Sequence, residues 1–504
     1  MHRIHRAIVV VALVAMAISQ SSARADEPLS EITNRVDGYQ GALDAITREL
    51  ILLLEKDPVL LVWCFDQSQS MVDDRREIRA RLTRVYEELK LARIKPDALQ
   101  TLVTSYGAKP QLHTREPLSD LEILKKALDT VPIDQSGHEL MCTAALNSIT
   151  YAKKFRGDGR QLMMIVVTDE SGDRDDNLAN LEKVIAAAKK ERCPIYFLSR
   201  RATFAGRRAY FRWRHPQTKR WHYLAIDRGP ETAFLELLDT DGFGRRMSPL
   251  TSPFGPYEQL RIVRETNGIF FSLPGHEGSL VKRKPEYRLE TIRRYRPDLR
   301  SRAEILADHK THPLQAELVA VAGELSVENK GKSLEKRFAV EATKSRAQME
   351  EAGSKVRKHL EELAAADRRL ANVEDARAAE SLRWRANYDL TRGQLAAFQA
   401  RAYEYQAAID EFVADPPTAA DAKPPNLRHV EWRIQRVQET RSPRGKRLID
   451  VAKRRLQGVI RDYAGTPWAR MAERELRDGF GVRLQPHYAP PTPKVPIQIP
   501  PPIL

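Results

Sequence analysis

The chain has 504 residues, of which 42% are hydrophobic and 30% are charged, and its formal net charge is +15. This length and apolar content allow two or three domains with at least one substantial core, and they exclude a wholly disordered chain. Three cysteines permit at most one internal disulfide bond, so a disulfide-stapled scaffold is excluded as well.

The N-terminus has the pattern of a secretory signal peptide. Basic residues precede an apolar run over residues 7–18, and Ala23 and Ala25 fit the small-residue rule for cleavage after residue 25. The run is too short for an ordinary membrane span, and an uncleaved anchor is the alternative interpretation. We therefore expect residues 1–25 to be removed and the protein to be exported to the periplasm, the cell envelope or the medium. There the basic charge favours acidic protein surfaces, acidic polysaccharides or lipid head groups as partners, and no nucleic acid is expected.

Four apolar, β-prone runs follow a predicted helical lead over residues 26–54. They are residues 58–65, 162–167, 194–198 and 268–273. Segments with helical periodicity lie between runs, and buried strands that alternate with amphipathic helices indicate an α/β layer. The sequence therefore predicts an α/β domain with a mainly parallel sheet.

Between the third and fourth runs lies an unusual insertion, residues 202–257. Aromatic and basic residues on both sides of a turn at 216–219 predict an added β-hairpin. Its candidate partner-binding residues are Arg207, Arg208, Arg212, Trp213, Arg214 and Trp221. Basic residues interleaved with aromatic ones can stack on and pair with an anionic polymer. The alternative is a hairpin whose aromatic side chains pack on the domain while its arginines stay solvated.

The C-terminal part of the chain has a helical composition. A basic connector (281–324) leads into residues 325–412, where apolar residues recur at alternating spacings of three and four over several turns. This pattern predicts a long helix or helical hairpin of coiled-coil character, through which the chain could self-associate. A proline-rich linker (413–427), further amphipathic helices (428–480) and an extended proline-rich tail (481–504) complete the predicted order.

A polar loop directly follows the first apolar run. Asp66, Ser68 and Ser70 stand at alternate positions beyond the predicted strand, and the second run ends in Thr168 and Asp169. Open α/β sheets bind ligands in crevices outside the carboxyl ends of their strands. Hydroxyls, one or two carboxylates and waters suit Mg²⁺, a hard ion that prefers oxygen ligands. The two loops therefore predict a divalent metal site, with Mg²⁺ favoured, whose open position can accept a carboxylate from a partner protein.

At these residues the chain resembles the von Willebrand factor A family. The metal site of that family has D-x-S-x-S after the first strand, a threonine on a later loop, and T-D after the fourth strand. The resemblance implies a doubly wound, mainly parallel sheet with helices on both faces over about residues 55–280, followed here by an all-α region. It also implies the metal ligands Asp66, Ser68, Ser70 and Asp169.

The middle ligand departs from the family pattern. No Gly-Gly-Thr-Asn loop is present, and residues 134–146 occupy the corresponding region. Thr143, Glu139 or Ser136 could supply the oxygen. Thr143 is preferred by residue type and Glu139 comes second, because a carboxylate is an equally good hard ligand. Glu139 would also add negative charge, which favours metal retention over acceptance of an acidic partner.

No catalytic motif accompanies these loops. Walker, H-E-x-x-H, G-x-G-x-x-G and C-x-x-C patterns do not occur, so we expect a binding protein and not an enzyme. Three hypotheses follow: metal-dependent binding of a protein, a structural envelope protein that self-associates through residues 325–412, and binding of an anionic envelope polymer by the hairpin. Short phrases at 252–257, 384–390 and 465–469 are similar to those of exported planctomycete von Willebrand A proteins and indicate lineage, not function.

Overall fold

The computed structural model describes residues 33–157, 159–244, 249–274, 287–326, 333–416 and 427–489. The predicted signal peptide lies outside the described residues, as do residues 417–426 of the predicted linker and 490–504 of the predicted tail.

The strands of the described residues are β1 (Thr33–Arg35), β2 (Val59–Asp66), β3 (Leu99–Tyr106), β4 (Pro110–Leu112), β5 (Gln161–Val167), β6 (Ile195–Ser199), β7 (Thr203–Phe204), β8 (Arg208–Arg214), β9 (Trp221–Asp227), β10 (Leu250–Thr251), β11 (Phe270–Ser272), β12 (Arg337–Phe338), β13 (Arg428–Val437) and β14 (Gly481–Ala489). The central sheet has the order β1-β11-β6-β5-β2-β3-β4. Its neighbouring strands are parallel except β3 and β4 at one edge, which are antiparallel. The predicted mainly parallel sheet is confirmed.

The α-helices of the described residues are α1 (Tyr39–Leu54), α2 (Val72–Leu91), α3 (Leu121–Asp129), α4 (Met141–Ala152), α5 (Arg174–Lys190), α6 (Tyr257–Thr266), α7 (Leu289–Ile292), α8 (Arg302–Asp308), α9 (Pro313–Leu325), α10 (Ala342–Asn372), α11 (Leu382–Ala414), α12 (Pro443–Asp462) and α13 (Pro467–Asp478). Within these described parts of the chain, no helix has the length and apolarity that a membrane crossing requires.

Helices cover both faces of the sheet because successive side chains of a strand point to opposite sides. Leu60 and Val62 of β2 belong to a core cluster with residues of α4, α5 and α6. Leu61 and Trp63 belong to a second cluster with residues of α1, α2 and α3. All of β2 is buried, as expected for a central strand of a doubly wound sheet. The first cluster also contains the three cysteines, which are free thiols: Cys64, Cys142 and Cys193.

Residues 33–54 belong to this domain, which differs from the separate helical lead predicted over 26–54. β1 pairs in parallel with β11, with Thr33 opposite Phe270. Leu43 and Ile46 of α1 are buried in the second core cluster. A three-residue strand is too short to show a period of two, so the sequence pattern reveals only the helix.

The predicted β-hairpin is present. β8 and β9 pair antiparallel, from Arg208 opposite Asp227 to Arg214 opposite Trp221. They form a two-stranded sheet of their own and pack chiefly on each other. The short strands β7 and β10, which precede and follow the hairpin in the chain, also pair with each other.

The predicted long helical region is a hairpin of α10 and α11. α11 is buried along most of its length because α12, α13 and β14 pack on it as well. The apolar residues predicted to form a coiled-coil interface therefore pack within the chain. Met349 and Val356 of α10 cluster with Tyr405 and Ile409 of α11. Self-association stays a prediction, and it would have to use the exposed side of α10.

Two C-terminal segments differ from their predicted structure. Residues 428–437, predicted as helix, form β13, and residues 481–489, predicted as extended tail, form β14, which pairs with it. Val430, Trp432 and Ile434 alternate with polar residues, which is the period of a half-buried strand. The charged residues between them give the segment the composition of a helix, and pairing with a distant strand overrides that preference. The C-terminal region is therefore helical with a small three-stranded sheet, and not all-α.

A buried polar network joins the insertion to the helical region. Arg383 of α11 donates to Glu231 Oε1 (2.6 Å) and to Glu236 Oε2 (2.7 Å). Asn387 donates to the same Glu236 oxygen (2.7 Å) and accepts from Trp468 Nε1 (2.7 Å). Burial raises the pKa of Glu236 even with Arg383 beside it. We call these five residues the Arg383 network.

The three short phrases singled out in the sequence, at 252–257, 384–390 and 465–469, meet at this network. Residues 384–390 and 465–469 contribute Asn387 and Trp468, and Ser252 of the phrase at 252–257 donates to Glu231. Their positions give them a structural role in holding the two regions together.

Candidate metal centre

The two polar loops leave the sheet at the same edge. β2 ends at Asp66, while β5 ends at Val167 and is followed by Thr168 and Asp169. The two strands are parallel neighbours, with Phe65 opposite Val167. The loops therefore meet at the carboxyl edge of the sheet, as the sequence predicts.

The Asp66 carboxylate is fully buried and both of its oxygens accept hydrogen bonds. The donors are the Ser68 backbone N–H (2.7 Å) and the Thr168 hydroxyl (2.7 Å). Arg75 fixes the backbone of the loop by donating to the carbonyls of Asp66 (2.6 Å) and Ser68 (3.4 Å). Burial, followed by the negative charge of Asp169, raises the pKa of Asp66 to about 6. The carboxylate is thus held rigidly in surroundings that disfavour its charge.

Two serine hydroxyls connect this loop to Asp169. Ser68 Oγ lies 3.1 Å from Ser70 Oγ, and the Ser70 hydroxyl donates to Asp169 Oδ1 at 2.9 Å. The structure therefore brings four predicted ligands into one continuous cluster: Asp66, Ser68, Ser70 and Asp169.

Glu139 is the carboxylate that the middle loop contributes. Its side chain is buried, and Oε2 has no hydrogen-bond partner among the residues that the structure describes. Burial, followed by the charges of Asp66, Glu170 and Asp169, raises the pKa of Glu139 well above its usual value. A buried, unpartnered carboxylate oxygen beside other carboxylates is costly unless a proton or a cation compensates it.

Thr143, the preferred middle ligand in the sequence analysis, makes a different set of contacts. Its hydroxyl donates to Asp176 Oδ1 (2.5 Å) and accepts from Asn180 Nδ2 (3.1 Å), so its oxygen links α4 to α5. Ser136, the remaining alternative, is exposed. The middle-loop residue whose pKa is raised by the charges of Asp66 and Asp169 is Glu139.

Three residues beside the site were not assigned to it from the sequence. Arg228 Nη1 lies 3.2 Å from Asp169 Oδ2, and both side chains are buried. Glu170 is buried, and this burial together with the charge of Asp169 raises its pKa. Tyr106 at the end of β3 is buried, and its hydroxyl has no partner within the described residues. Glu170 follows Asp169 directly and Tyr106 ends a neighbouring strand, so their positions in the sequence could have assigned both to the site. Nothing in the sequence marks Arg228 as part of it.

The oxygen donors of this cluster are of the kind that a hard cation prefers. Its carboxylates are Asp66, Glu139, Asp169 and Glu170, of which Asp169 is paired with an arginine. No group of three or more His, Cys, Asp or Glu side chains in the described ranges is arranged to hold a metal ion. The hydroxyls of Ser68 and Ser70 and water would therefore have to complete the shell, which suits a hard ion such as Mg²⁺.

The sequence resemblance implies a mainly parallel sheet with helices on both faces and two polar loops at its carboxyl edge. The structure has both features. The described residues between 33 and 274 form a von Willebrand factor A-type fold. The D-x-S-x-S and T-D loops lie at its carboxyl edge, and the hairpin is inserted between β7 and β10.

No protein-family model and no curated protein matches the sequence. Solved structures resemble parts of the chain. The vWF domain of the type V pili tip protein Mfa5 from Porphyromonas gingivalis has 17% identity, covering 22% of this chain and 38% of that one, with a TM-score of 0.18. The SpRpn10 VWA domain has 13% identity, covering 28% and 74%, with a TM-score of 0.21. An aerotolerance-related membrane protein from Bacteroides fragilis NCTC 9343, carrying multiple mutations to serines, has 13% identity, covering 44% and 95%, with a TM-score of 0.26. This chain covers 20% of a three-domain Mfa5 structure.

The hairpin of the von Willebrand A-type domain places most of its candidate residues on one face. Residues opposite each other in an antiparallel pair share a face, and the register pairs Arg212 with Tyr223 and Arg214 with Trp221. Trp221 is 49% exposed and Tyr223 is 45% exposed. The Arg212 guanidinium lies 3.9 Å from the centre of the Trp221 ring, a cation–π contact that holds the charge over the ring. We call this surface the arm face: Arg208, Arg212, Arg214, Trp221 and Tyr223.

Two of the six candidate residues lie elsewhere on the hairpin. Trp213 occupies the opposite face, where its ring is 5.6 Å from that of His222 and 5.3 Å from that of His215. Arg207 donates from Nε (3.1 Å) and Nη2 (3.0 Å) to Asp227 Oδ2 at the base of the hairpin. The register adds Tyr223 to the predicted set as a second exposed aromatic ring on the arm face.

Proposed function

We propose that this chain is an exported binding protein that captures a protein partner through a divalent cation, Mg²⁺ in the first place. The observation that carries the proposal is the buried set of oxygen donors at the carboxyl edge of the sheet. Glu139 Oε2 lacks a partner within the described residues, while Ser70 already contacts Asp169. Buried polar atoms without partners are rare in folded proteins, so an unpartnered carboxylate oxygen favours an ion site over a purely structural network.

The residues that would hold the ion are Asp66, Ser68, Ser70, Asp169 and Glu139. Thr168 and Arg75 hold the Asp66 loop in place through the hydrogen bonds described above. The bound ion would act as a Lewis acid whose open coordination position accepts a carboxylate of the partner. We propose binding and not catalysis because the sequence places no catalytic motif beside these loops. The signal-peptide pattern of residues 1–25 supports a partner in the cell envelope or outside the cell.

Metal titration of the full chain tests the ion. At a Mg²⁺ concentration of about 100 times its Kd, the free energy of unfolding should rise by about 2.7 kcal/mol, and EDTA should reverse the rise. Asp66→Ala should abolish the effect. Mn²⁺ and Ca²⁺ titrated in parallel determine which ion binds most tightly.

Capture of envelope proteins with and without the ion tests the partner. We expect a bound protein in Mg²⁺ that is lost in EDTA and from the Asp66→Ala variant. Capture that survives both changes would show that the metal is irrelevant to binding.

A second candidate function has its own observation, the arm face. Arginines of β8 lie opposite exposed aromatic rings of β9 there, which favours an acidic envelope polymer whose carboxylates pair with the arginines while its rings stack on Trp221 and Tyr223. Retention on an acidic polysaccharide should fall steeply with salt. Arg212→Gln/Arg214→Gln should reduce it several-fold, whereas Arg76→Gln/Arg81→Gln, which removes the same charge from the exposed surface of α2, should not. Equal loss in both double variants would leave only general charge attraction.

A further inference from the structure

Arg228 reaches the metal centre from the insertion. It directly follows β9, and its Nη1 lies 3.2 Å from Asp169 Oδ2 and also donates to the backbone carbonyl of Asp169. The side chains of Arg228 and Asp169 are 4% and 6% exposed, so water screens their interaction poorly. A guanidinium keeps its proton at any physiological pH. The insertion therefore places a permanent positive charge inside a site of carboxylates and hydroxyls.

The base of the hairpin is locked against the loop that carries Asp169. The Ser171 N–H donates to the Asp227 carbonyl (2.8 Å), and Asp227 Oδ1 accepts from the Gly229 N–H (2.9 Å). Gly229 has a φ of 66°, and a Cβ at that position would lie 2.5 Å from Ser171 Cβ. Contacts on both sides of Arg228 thus hold it beside Asp169.

The charge of Arg228 acts in opposite directions on the two binding steps at this site. Glu139 brings a negative charge that a threonine in the middle loop would not bring, which strengthens the hold on a cation and repels an anionic partner. A positive charge paired with Asp169 offsets that excess. It repels the metal ion and attracts the carboxylate of a partner.

We propose that Arg228 is a specificity-determining residue of the metal centre, which lowers its affinity for the ion and raises its attraction for an anionic partner. The inference rests on the proposed function, because it concerns the same site. It makes the insertion part of the metal centre, independently of what the arm face binds.

Titration with Mg²⁺ alone tests the first half of this proposal. Arg228→Gln removes the charge but keeps a side chain that can donate to Asp169, and we expect its Kd for Mg²⁺, measured by calorimetry, to fall about tenfold. Arg228→Lys keeps the charge and should stay near the wild-type value. Arg392→Gln is the matched control, because it removes a similarly buried arginine that pairs with Asp367 in the helical region.

Binding of polyglutamate in saturating Mg²⁺ tests the second half. The variants are compared in an Arg212→Gln/Arg214→Gln background, so that the arm face does not contribute. Arg228→Gln should bind this probe several-fold more weakly than Arg228→Lys.

The outcomes separate this inference from the proposed function. If the wild type binds Mg²⁺ and Arg228→Gln binds it equally or more weakly, Arg228 is only structural and the inference is overturned while the metal site stands. If Arg228→Gln binds Mg²⁺ and the wild type does not, the inference holds and the proposed function fails. If neither binds, both are overturned.

Discussion

Two buried polar clusters of this chain contain similar residues but differ in how their charges are compensated. In the Arg383 network, Glu231 and Glu236 both pair with one arginine, and Asn387 and Trp468 complete the hydrogen bonds. The metal centre has four carboxylates, of which one is paired with Arg228 and another has an unpartnered oxygen.

Under the proposed function, this difference distinguishes a cluster that holds the protein together from one that binds a ligand. A fully paired buried network gains little from anything added to it, and it loses heavily when one member is removed. A cluster with surplus negative charge is destabilised until a cation arrives, so part of the stability of the fold is linked to binding. The predictions below test this contrast.

The largest effect is expected from breaking the Arg383 network. Arg383→Met leaves two buried glutamates without their cation, and the free energy of unfolding in urea should fall by about 3 to 5 kcal/mol. Adding Glu231→Gln and Glu236→Gln should recover much of the loss, because the uncompensated charges are then gone. A loss below about 1 kcal/mol would contradict the role assigned to this network.

The metal centre should respond to pH in the opposite sense from an ordinary paired carboxylate. The pKa of Asp66 is raised to about 6 in the folded state, against about 3.9 in the unfolded chain, so the folded state holds this proton more tightly. The resulting stability is complete below about pH 4 and is lost as pH rises through 6. In EDTA, the wild type should lose about 2.4 kcal/mol relative to Asp66→Asn between pH 4 and 8. Mg²⁺ should remove the difference between the two proteins in how the free energy of unfolding changes with pH. Parallel curves of unfolding free energy against pH in EDTA would contradict the burial of a charged Asp66.

A smaller effect, on Mg²⁺ affinity, distinguishes Glu139 from Thr143 as the middle ligand. Glu139→Gln should weaken Mg²⁺ binding about tenfold, equivalent to about 1.4 kcal/mol, because it removes a charged oxygen donor. Thr143→Val should leave Mg²⁺ binding unchanged and lower stability instead, since Asp176 loses a hydrogen bond. The reverse pattern would restore Thr143 as the ligand.

The smallest effect on stability is expected on the arm face. Trp221→Ala should change the free energy of unfolding by less than about 0.5 kcal/mol, because the ring is half exposed and the hairpin packs chiefly on itself. Retention on acidic polysaccharide should nevertheless fall. A large loss of stability would place Trp221 in a packed interface.

Local pattern was sufficient for four strands of the central sheet and for part of the site. The apolar run before Asp66 predicted a buried strand, and the hydroxyls at Ser68 and Ser70 predicted the loop chemistry, because both signals are contained in a few consecutive residues. The central strand β3, the edge strand β1 and the paired strands β13 and β14 were missed. Their formation depends on hydrogen bonds to residues far away in the chain, such as Thr33 with the strand at Phe270.

The sequence by itself determined the von Willebrand A-type sheet, the Asp66 loop with its companion at Asp169, and the hairpin. Only the tertiary structure decided that Glu139 lies with these carboxylates while Thr143 bonds to Asp176. It also decided that Arg228 reaches Asp169 from 59 residues further along the chain. The physical reason is that strand and turn preferences act over short stretches of sequence, whereas the charge balance of a buried site is set by whichever distant side chains the fold packs against it.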